Sequence, residues 1–398
     1  MAADLSQLQQ ALAVRWAYAG VHAFGLRAVI DAERDKLPAS ADGETFALVL
    51  ERILAQMHDG HGGVLVPCAK PPKRTLPFTI VDTLDGVLVD EPDEAALVAR
   101  GDRLLAIDGK PIDELIAALE TRTSAATDVG RRARVLRQLP STNANEVEVT
   151  IADRFWQQRT VRLSTVSRSP LNDDDWIETR DLGDRVAYVH FKSFEPKIPA
   201  ELRPITDKNL DRLLAPYYEK IDAAFLSFAA SRALVIDLRG NVGGSDWLGR
   251  RVARHLLTTH SVYSWFSEKE GRWQAPKPNF LPAVLDPYDK HVIVLVDEIT
   301  ASAAENLAVA LQDNLPNVEL IGRPTAGTSG VLDTTRLSRT GALVFYAGTR
   351  VFGPKGEWIE GHGVTPNVLR ARRRSDVLHG VDVDLAAALD LLGWRPRN

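Results

Sequence analysis

Four places in this chain carry residue types whose chemistry goes beyond what packing needs. The first is Ser302, in HVIVLVDEITASAAENLAVALQDN (291–314). There an apolar strand pattern breaks at Asp297-Glu298 and a helix pattern begins at Ala303. A serine at a helix N-terminus feels the positive end of the dipole, and the following N–H, that of Ala303, can face a developing oxyanion. Ser302 to Glu305 also reads as a capping box, in which Ser302 accepts from the N–H three residues on and Glu305 reaches back. Nucleophile and cap are both open on this stretch alone. The second place is VIDLRGNVGGS (235–245), where an apolar strand runs into Gly240, Asn241, Gly243 and Gly244. Glycines there permit positive φ and leave N–H groups uncovered, as an oxyanion hole requires. The G-x-G-x-x-G order and the Gly-Lys-Ser/Thr of a P-loop are both absent. The third is MHDGHGGV (57–64), with His61 in an open turn beside Asp59, where a histidine can be an accessible base; His58 sits on the preceding helix. The fourth is KGEWIEGHGVTPNV (355–368), in which Glu360 could orient an imidazole. Each has a plainer structural reading: a tight turn, an ordinary histidine, a solvent-facing acid. A serine nucleophile needs a base, and His61, His190, His362 or a nearby lysine are the candidates.

The elements that must position these residues can be read from periodicity. Residues 1 to 70 look helical: LSQLQQALAVRWAYAGVHAF and DGETFALVLERILAQMHDG carry apolar residues three and four apart, with Asp42 or Gly43 as cap and Gly60 as the end. PCAKPPKRTLP (67–77) reads as a linker. Strand patterns follow around Asp85-Gly86, at Leu104–Ile107 and at 146–163, with a helix after Asp108-Gly109 and another within 121–145. From about 170 strands alternate with helices: a strand at 185–194, a helix near 207–230, a strand at 233–239, a helix from Asp246, then a strand (291–296), a helix (303–313), a strand (318–322), and strands around 342–352. That alternation predicts an α/β core with buried strands.

Composition narrows the classes. A chain of 398 residues exceeds what one core usually holds, so two or three domains are expected. With 45% hydrophobic and 25% charged residues it reads as an ordinary soluble chain. The net charge of −5 argues against a nucleic-acid partner, and the one basic cluster, RARRRSD (370–376), reads as solvated surface. A single cysteine, Cys68, allows no internal disulfide framework and no multi-cysteine metal site. No apolar run reaches the roughly 18 residues of a membrane span, and MAADLSQLQQALAVRWAYAG lacks the basic region and apolar core of a signal peptide.

Taken in order, VIDLRGNVGG, VLVDEITASAAENLAVALQDN, LIGRPTAGTSG and WIEGHGVTPNV resemble the C-terminal processing (tail-specific) serine peptidases and their tricorn-like relatives. LVARGDRLLAIDGKPIDEL resembles that family's PDZ-like module, and LAQMHDGHGGV the segment carrying the catalytic histidine of tricorn-like members. The resemblance spans residues 45 to 370. It implies Ser302 as nucleophile, Glu305 as the acid that follows it, and the N–H groups of Ala303 and of Gly243 or Gly244 as oxyanion hole. In the processing branch the base is a lysine in a turn resembling GRPTAGTSG (322–330); that position falls on Thr328 here, and no lysine lies between Lys290 and Lys355. The tricorn-like roles fall on His61 and Glu360. Gly60 stands where those members carry a helper serine, so Asp59 and Asp313 are further candidates to support His61.

The fold so implied is α/β, a ClpP/crotonase-like β/α spiral core (167–398) behind an N-terminal helical region (1–70) and a PDZ-like β-rich domain (71–166). The implied function is hydrolysis of peptide bonds in unstructured or C-terminal polypeptide segments through an acyl-enzyme. The substrate is a peptide or protein, with no cofactor, no metal, no nucleic acid and no membrane span; self-association into a homo-oligomer is left open. A periplasmic or secreted location follows from the resemblance, whereas the missing signal pattern in the given chain keeps a cytoplasmic one open. Two other readings compete: a non-proteolytic binder of a hydrophobic ligand, as in the family's retinoid-binding relatives, and a peptide-tailoring acyl-transfer enzyme such as an esterase or cyclase.

Overall fold

A computed structural model describes the chain except for residues 22–24, 39, 68–71, 95–96, 168–175, 198–206, 258 and 395–398. Cys68 therefore lies outside the described residues. The chain forms two compact units, neither contiguous in sequence: 1–170 with 332–348 and 371–383, and 171–331 with 349–370 and 384–398.

The first unit begins with helices α1 (Ala2–Arg15), α2 (Leu26–Asp35) and α3 (Gly43–Met57). The expected cap of α3 is Asp42, whose side chain accepts from the Thr45 N–H at 2.8 Å. The helix ends at Met57 because His58 takes a left-handed conformation, φ 52°. A short strand, Gly63–Leu65, then pairs with the hairpin of Leu332–Arg336 and Leu343–Ala347. The β-rich part is an antiparallel sheet of Thr79–Thr83, Gly86–Asp90, Arg103–Ile107, Glu146–Ala152 and Gln158–Ser164. Its apolar face packs under α4 (Ile112–Glu120) and α5 (Asp128–Gln138), through Val87, Val89, Leu104, Val149 and Ile151 against Ile116 and Val135.

In the basic segment 370–376, expected as solvated surface, Arg370 and Arg373 are exposed and Arg374 alone departs from that expectation. Arg374 is 6% exposed, with its guanidinium donating to Gly101 O, Ala152 O and Asp153 O and lying over the Trp156 ring. The local reason is a ring of carbonyls at loop ends that only a forked cation can satisfy together. A cluster of arginines looks the same in sequence whether its members point to water or into such a ring.

In the second unit six strands run in the order Ile177–Asp181, Val186–Phe191, Ala233–Asp237, His291–Val296, Val318–Gly322, Val368–Leu369. The first pair is antiparallel and the rest are parallel. Side chains alternate between two buried faces. Leu234, Ile236, Val292 and Val294 pack towards α6 (Asp207–Phe228), α7 (Asp246–Arg254) and α8 (Ala303–Asn314). Val235, Ile293 and Leu295 pack towards Ala387 and Ala388 of the C-terminal helix. Burial on both sides is why these strands read as unbroken apolar runs. A smaller sheet completes the unit: Arg350–Phe352 lies within the strands expected around 342–352, whereas Ser261–Ser267 and Lys277–Leu281 were not singled out in the sequence.

Candidate active site

Strands Ala233–Asp237 and His291–Val296 are parallel neighbours, so the loops leaving their carboxyl ends, 238–245 and 297–302, meet. Asp297 joins them. Its Oδ1 accepts from the N–H groups of Gly240 (3.0 Å), Ile299 (3.1 Å) and Thr300 (3.0 Å). The Thr300 hydroxyl donates to Leu238 O at 2.9 Å, and the Ala301 N–H to Asn241 O at 3.0 Å. The loop delivers Ser302 at φ 55°, ψ −124°. A side-chain-bearing residue there carries strain of about 1–3 kcal/mol. An ordinary N-cap is extended. A strained strand-to-helix turn instead lifts its serine out of the backbone, the geometry of a nucleophile elbow. The capping arm from Glu305 is present as well: its Oε2 accepts from the Ser302 N–H at 3.0 Å. Cap and elbow coexist at one residue.

Glu305 does more than cap. It is fully buried, and its carboxylate also accepts from the Thr325 hydroxyl, the Gly327 N–H (2.7 Å) and the Thr328 N–H (2.8 Å). Burial pushes this carboxyl up to about 7, against the hydrogen bonds that favour its anion. Thr328 O in turn accepts from the Ser302 N–H at 3.0 Å. Thus the loop 325–328 is held against the start of α8. The Thr328 hydroxyl is buried with no hydrogen-bond partner among the described residues.

The glycine turn lies directly on Ser302. Gly243 has φ +93°, and a Cβ there would stand 2.7 Å from both Ser302 Cβ and Ala301 O, and 3.0 Å from Ala303 N. Its N–H donates to Asn241 Oδ1 at 2.8 Å, so an oxyanion drawing on Gly243 competes with that side chain. Gly244, at φ +131°, forms a parallel bridge with Phe194. Ala303 is the first helical residue of α8, so its N–H has no acceptor within the helix.

Of the other unit-two candidates, Glu360 is 4% exposed and its Oε2 accepts from the Ser329 N–H at 2.6 Å, in the loop that Glu305 holds. The Gly361 N–H donates to Gly327 O at 2.9 Å and ties the same segments. His362 Nδ1 lies 3.0 Å from Glu360 O, and His190 Nε2 lies 3.1 Å from Arg239 O. Asp313 sits near the far end of α8, about 16 Å along the axis from Ser302 at 1.5 Å per residue, and its Oδ1 accepts from Lys355 Nζ at 2.7 Å. The structure thus gathers Ser302, Ala303, Glu305, Gly243 and Gly244 and leaves Asp313 elsewhere.

His61 and Asp59 belong to the first unit. Asp59 is buried; its Oδ1 accepts from the His61 N–H at 2.7 Å and its Oδ2 from the Ala347 N–H at 2.9 Å. Both oxygens therefore hold main chain. Arg134 donates to Gly60 O and Ser124 O, and the Ser124 hydroxyl contacts Asp59 O at 2.8 Å, so the turn bearing His61 is clamped from α5 and the loop before it. His58 is engaged apart from this turn, its Nδ1 3.0 Å from an Arg131 nitrogen.

Asn241 and Asp297, seen in the sequence only as parts of a turn and a strand break, and Thr325, not singled out there, hold the site's loops. Asn241 and Asp297 each hold the N–H two residues on, an Asx-turn. The signal was an Asn or Asp at the end of an apolar strand before a turn. Among the described residues no group of three or more His, Cys, Asp or Glu could hold a metal ion, and no helix is long and apolar enough to cross a membrane.

Residues 185–370 match the model of peptidase family S41. The chain is 27% identical over 321 residues to the carboxyl-terminal-processing protease of Picosynechococcus sp., covering 78% of this chain and 67% of that protein. It is 23% identical over 335 residues to the carboxy-terminal processing protease CtpA of Bacillus subtilis, covering 84% of this chain and 59% of that one. The chain thus spans about two thirds or less of the length of these curated relatives. Among solved structures, mature CPAF complexed with lactacystin aligns with a TM-score of 0.77 at 17% identity, over 98% of this chain and 97% of that one. The photosystem II D1 C-terminal processing protease aligns with a TM-score of 0.53 at 18% identity, over 93% of each. These likenesses show a shared mixed α/β fold.

Proposed function

We propose that this chain, whose residues 185–370 match the model of peptidase family S41, is a serine peptidase that cleaves unstructured or C-terminal polypeptide segments with Ser302 as nucleophile. The observation that carries the reading is Ser302 at φ 55°, at the head of α8 and against the Gly243 turn. Strain at a half-buried serine with oxyanion donors beside it has a chemical use and no packing use.

In the mechanism we infer, Ser302 Oγ attacks the scissile carbonyl carbon while its proton passes to His61. The carbonyl oxygen becomes an oxyanion held by the Ala303 N–H and the N–H of Gly243 or Gly244. The tetrahedral intermediate collapses, the C–N bond breaks, and the leaving amine takes the proton from His61. Water then attacks the acyl ester with His61 again as base, releasing the acid and Ser302. Glu360 is the carboxylate assigned to orient His61, Asp59 holds the main chain of the His61 turn, and Glu305 holds the loop behind Ser302. The Ser-His assignment rests on Thr328 occupying the lysine position and on the lysine-free stretch around it. We further read the β-rich part of the first unit as a PDZ-like module that takes an extended peptide by strand addition, and the second unit as a ClpP/crotonase-like β/α spiral.

The test is hydrolysis of unstructured peptides by wild type, Ser302→Ala, His61→Ala and the double variant, with products read by mass spectrometry and Ser302 labelled by a fluorophosphonate. Each single variant is expected to lose at least about 10³-fold in kcat, and the double variant to be no worse than the weaker single one, because members of one catalytic unit are non-additive. Wild-type turnover by either single variant sinks the assignment; esters or cyclised products in place of hydrolysed peptide point to acyl transfer instead.

A further inference from the structure

The geometry points to Asn241 as the positioning residue of the oxyanion hole, and to Gly244, not Gly243, as the donor that partners Ala303; this rests on the peptidase reading of Ser302.

Asn241 is fully buried, and its polar groups bind four separate points. Nδ2 donates to Phe191 O at 2.9 Å, at the end of the neighbouring strand. Oδ1 accepts from the Gly243 N–H at 2.8 Å. The backbone N–H donates to Leu238 O at 3.1 Å, and the backbone O accepts from Ala301 N–H at 3.0 Å, one residue before the nucleophile. The side chain therefore ties the sheet to the glycine turn, and the backbone of the same residue ties both to the loop before Ser302. A buried amide so fully satisfied fixes its neighbours closely, because each alternative arrangement leaves a polar group unpaired.

That lock decides which amide is free. The Gly243 N–H is closed by Asn241, and Gly243 O accepts from the Phe194 N–H at 2.9 Å. On the far side of the bridge the Ser245 N–H donates to Phe194 O at 2.7 Å. In a parallel bridge of this pattern the bonds to Phe194 come from the residues flanking Gly244, so the N–H of Gly244 itself points away from Phe194. No acceptor for it appears among the hydrogen bonds of the described residues. Gly244 is exposed, whereas Gly243 is buried against Ser302. An oxyanion bound by Gly243 would have to displace Asn241 Oδ1; one bound by Gly244 and Ala303 displaces no hydrogen bond of the described residues, and a donor that breaks no bond needs no reorganisation.

The test compares wild type with Asn241→Ala and the isosteric Asn241→Asp. For Asn241→Ala, kcat is expected to fall about 10²-fold with KM within about threefold. A peptide aldehyde, which forms an oxyanion on Ser302, should weaken by the same factor as kcat/KM. Binding of the uncleaved peptide, measured in a Ser302→Ala background, should not change. Loss of fold alone would move all three together. Asn241→Asp keeps the acceptor and the shape, but its anion repels the oxyanion and cannot donate to Phe191 O. Its rate relative to wild type should therefore rise as the pH falls and the new carboxyl protonates. Wild-type turnover in both variants, or a relative rate for Asn241→Asp that is flat with pH, overturns the assignment. A wild-type protein that takes no fluorophosphonate on Ser302 overturns the peptidase reading itself, which is a separate failure.

Discussion

Ser302 shows how one residue answers two demands. Its sequence context was a capping box, and Glu305 does reach back to it. Its backbone is nonetheless not that of a cap, since φ is 55°. The dihedral comes from the loop on either side, pinned by Asp297 and Asn241, and no local propensity encodes it. Glu305 follows the same logic, since its carboxylate serves four hydrogen bonds in a buried site and burial still pushes it up to about 7 from 4.5. The folded protein therefore holds this proton more tightly than the unfolded chain does. The associated stability is complete below about pH 4.5 and is lost as the pH rises through about 7, a difference of about 3 kcal/mol. Glu305→Gln removes the titration. Thermal melts between about pH 5 and 8 should show wild type losing stability with rising pH more steeply than the variant; parallel curves would mean that Glu305 does not titrate in this range.

At the scale of elements, the strands and helices of the second unit were largely legible. The strand at 291–296, the helix beginning at 303 and the strand at 318–322 fall where periodicity places them, because buried parallel strands are apolar throughout and α8 is capped by a recognisable box. The strands Ser261–Ser267 and Lys277–Leu281 were not legible: they are mixed in polarity, and the first also pairs with a segment about 85 residues further on. The glycine turn was visible as glycines, but not the reason for each. Gly243 is glycine because Ala301 O, Ser302 Cβ and Ala303 N leave no room for a Cβ. Gly243→Ala combines a positive φ with a 2.7 Å contact at Ser302 Cβ, so the turn must retreat from Ser302. We expect kcat/KM to fall by at least about 10²-fold with far-UV circular dichroism retained. Near-native turnover would mean the turn tolerates the shift and lies outside the chemistry.

At the scale of the whole molecule, the chain passes back and forth between its two units. Segments 332–348 and 371–383 leave the core region of the sequence to join the first unit. Arg374 anchors the second of these segments. Arg374→Ala strips a cation from three carbonyls and from Trp156, and is expected to lower stability by about 3 kcal/mol, read as a fall in the urea midpoint. A midpoint unchanged from wild type would return the basic cluster to the solvated reading.

By itself the sequence determined the order of elements, the α/β alternation, the candidate nucleophile and the absence of a lysine near it. These are properties of spacing and residue type along a short stretch of chain, where a helical or strand period repeats within a few residues. The tertiary structure decided the rest: the strained φ of Ser302, the capture of the Gly243 N–H by Asn241, the buried carboxylate of Glu305 with partners some 20 residues away, and the burial of Arg374 under carbonyls more than 200 residues earlier. Each depends on groups brought together only when the sheets close. A hydrogen bond or a missing Cβ acts over about 3 Å in space, whatever the distance along the chain.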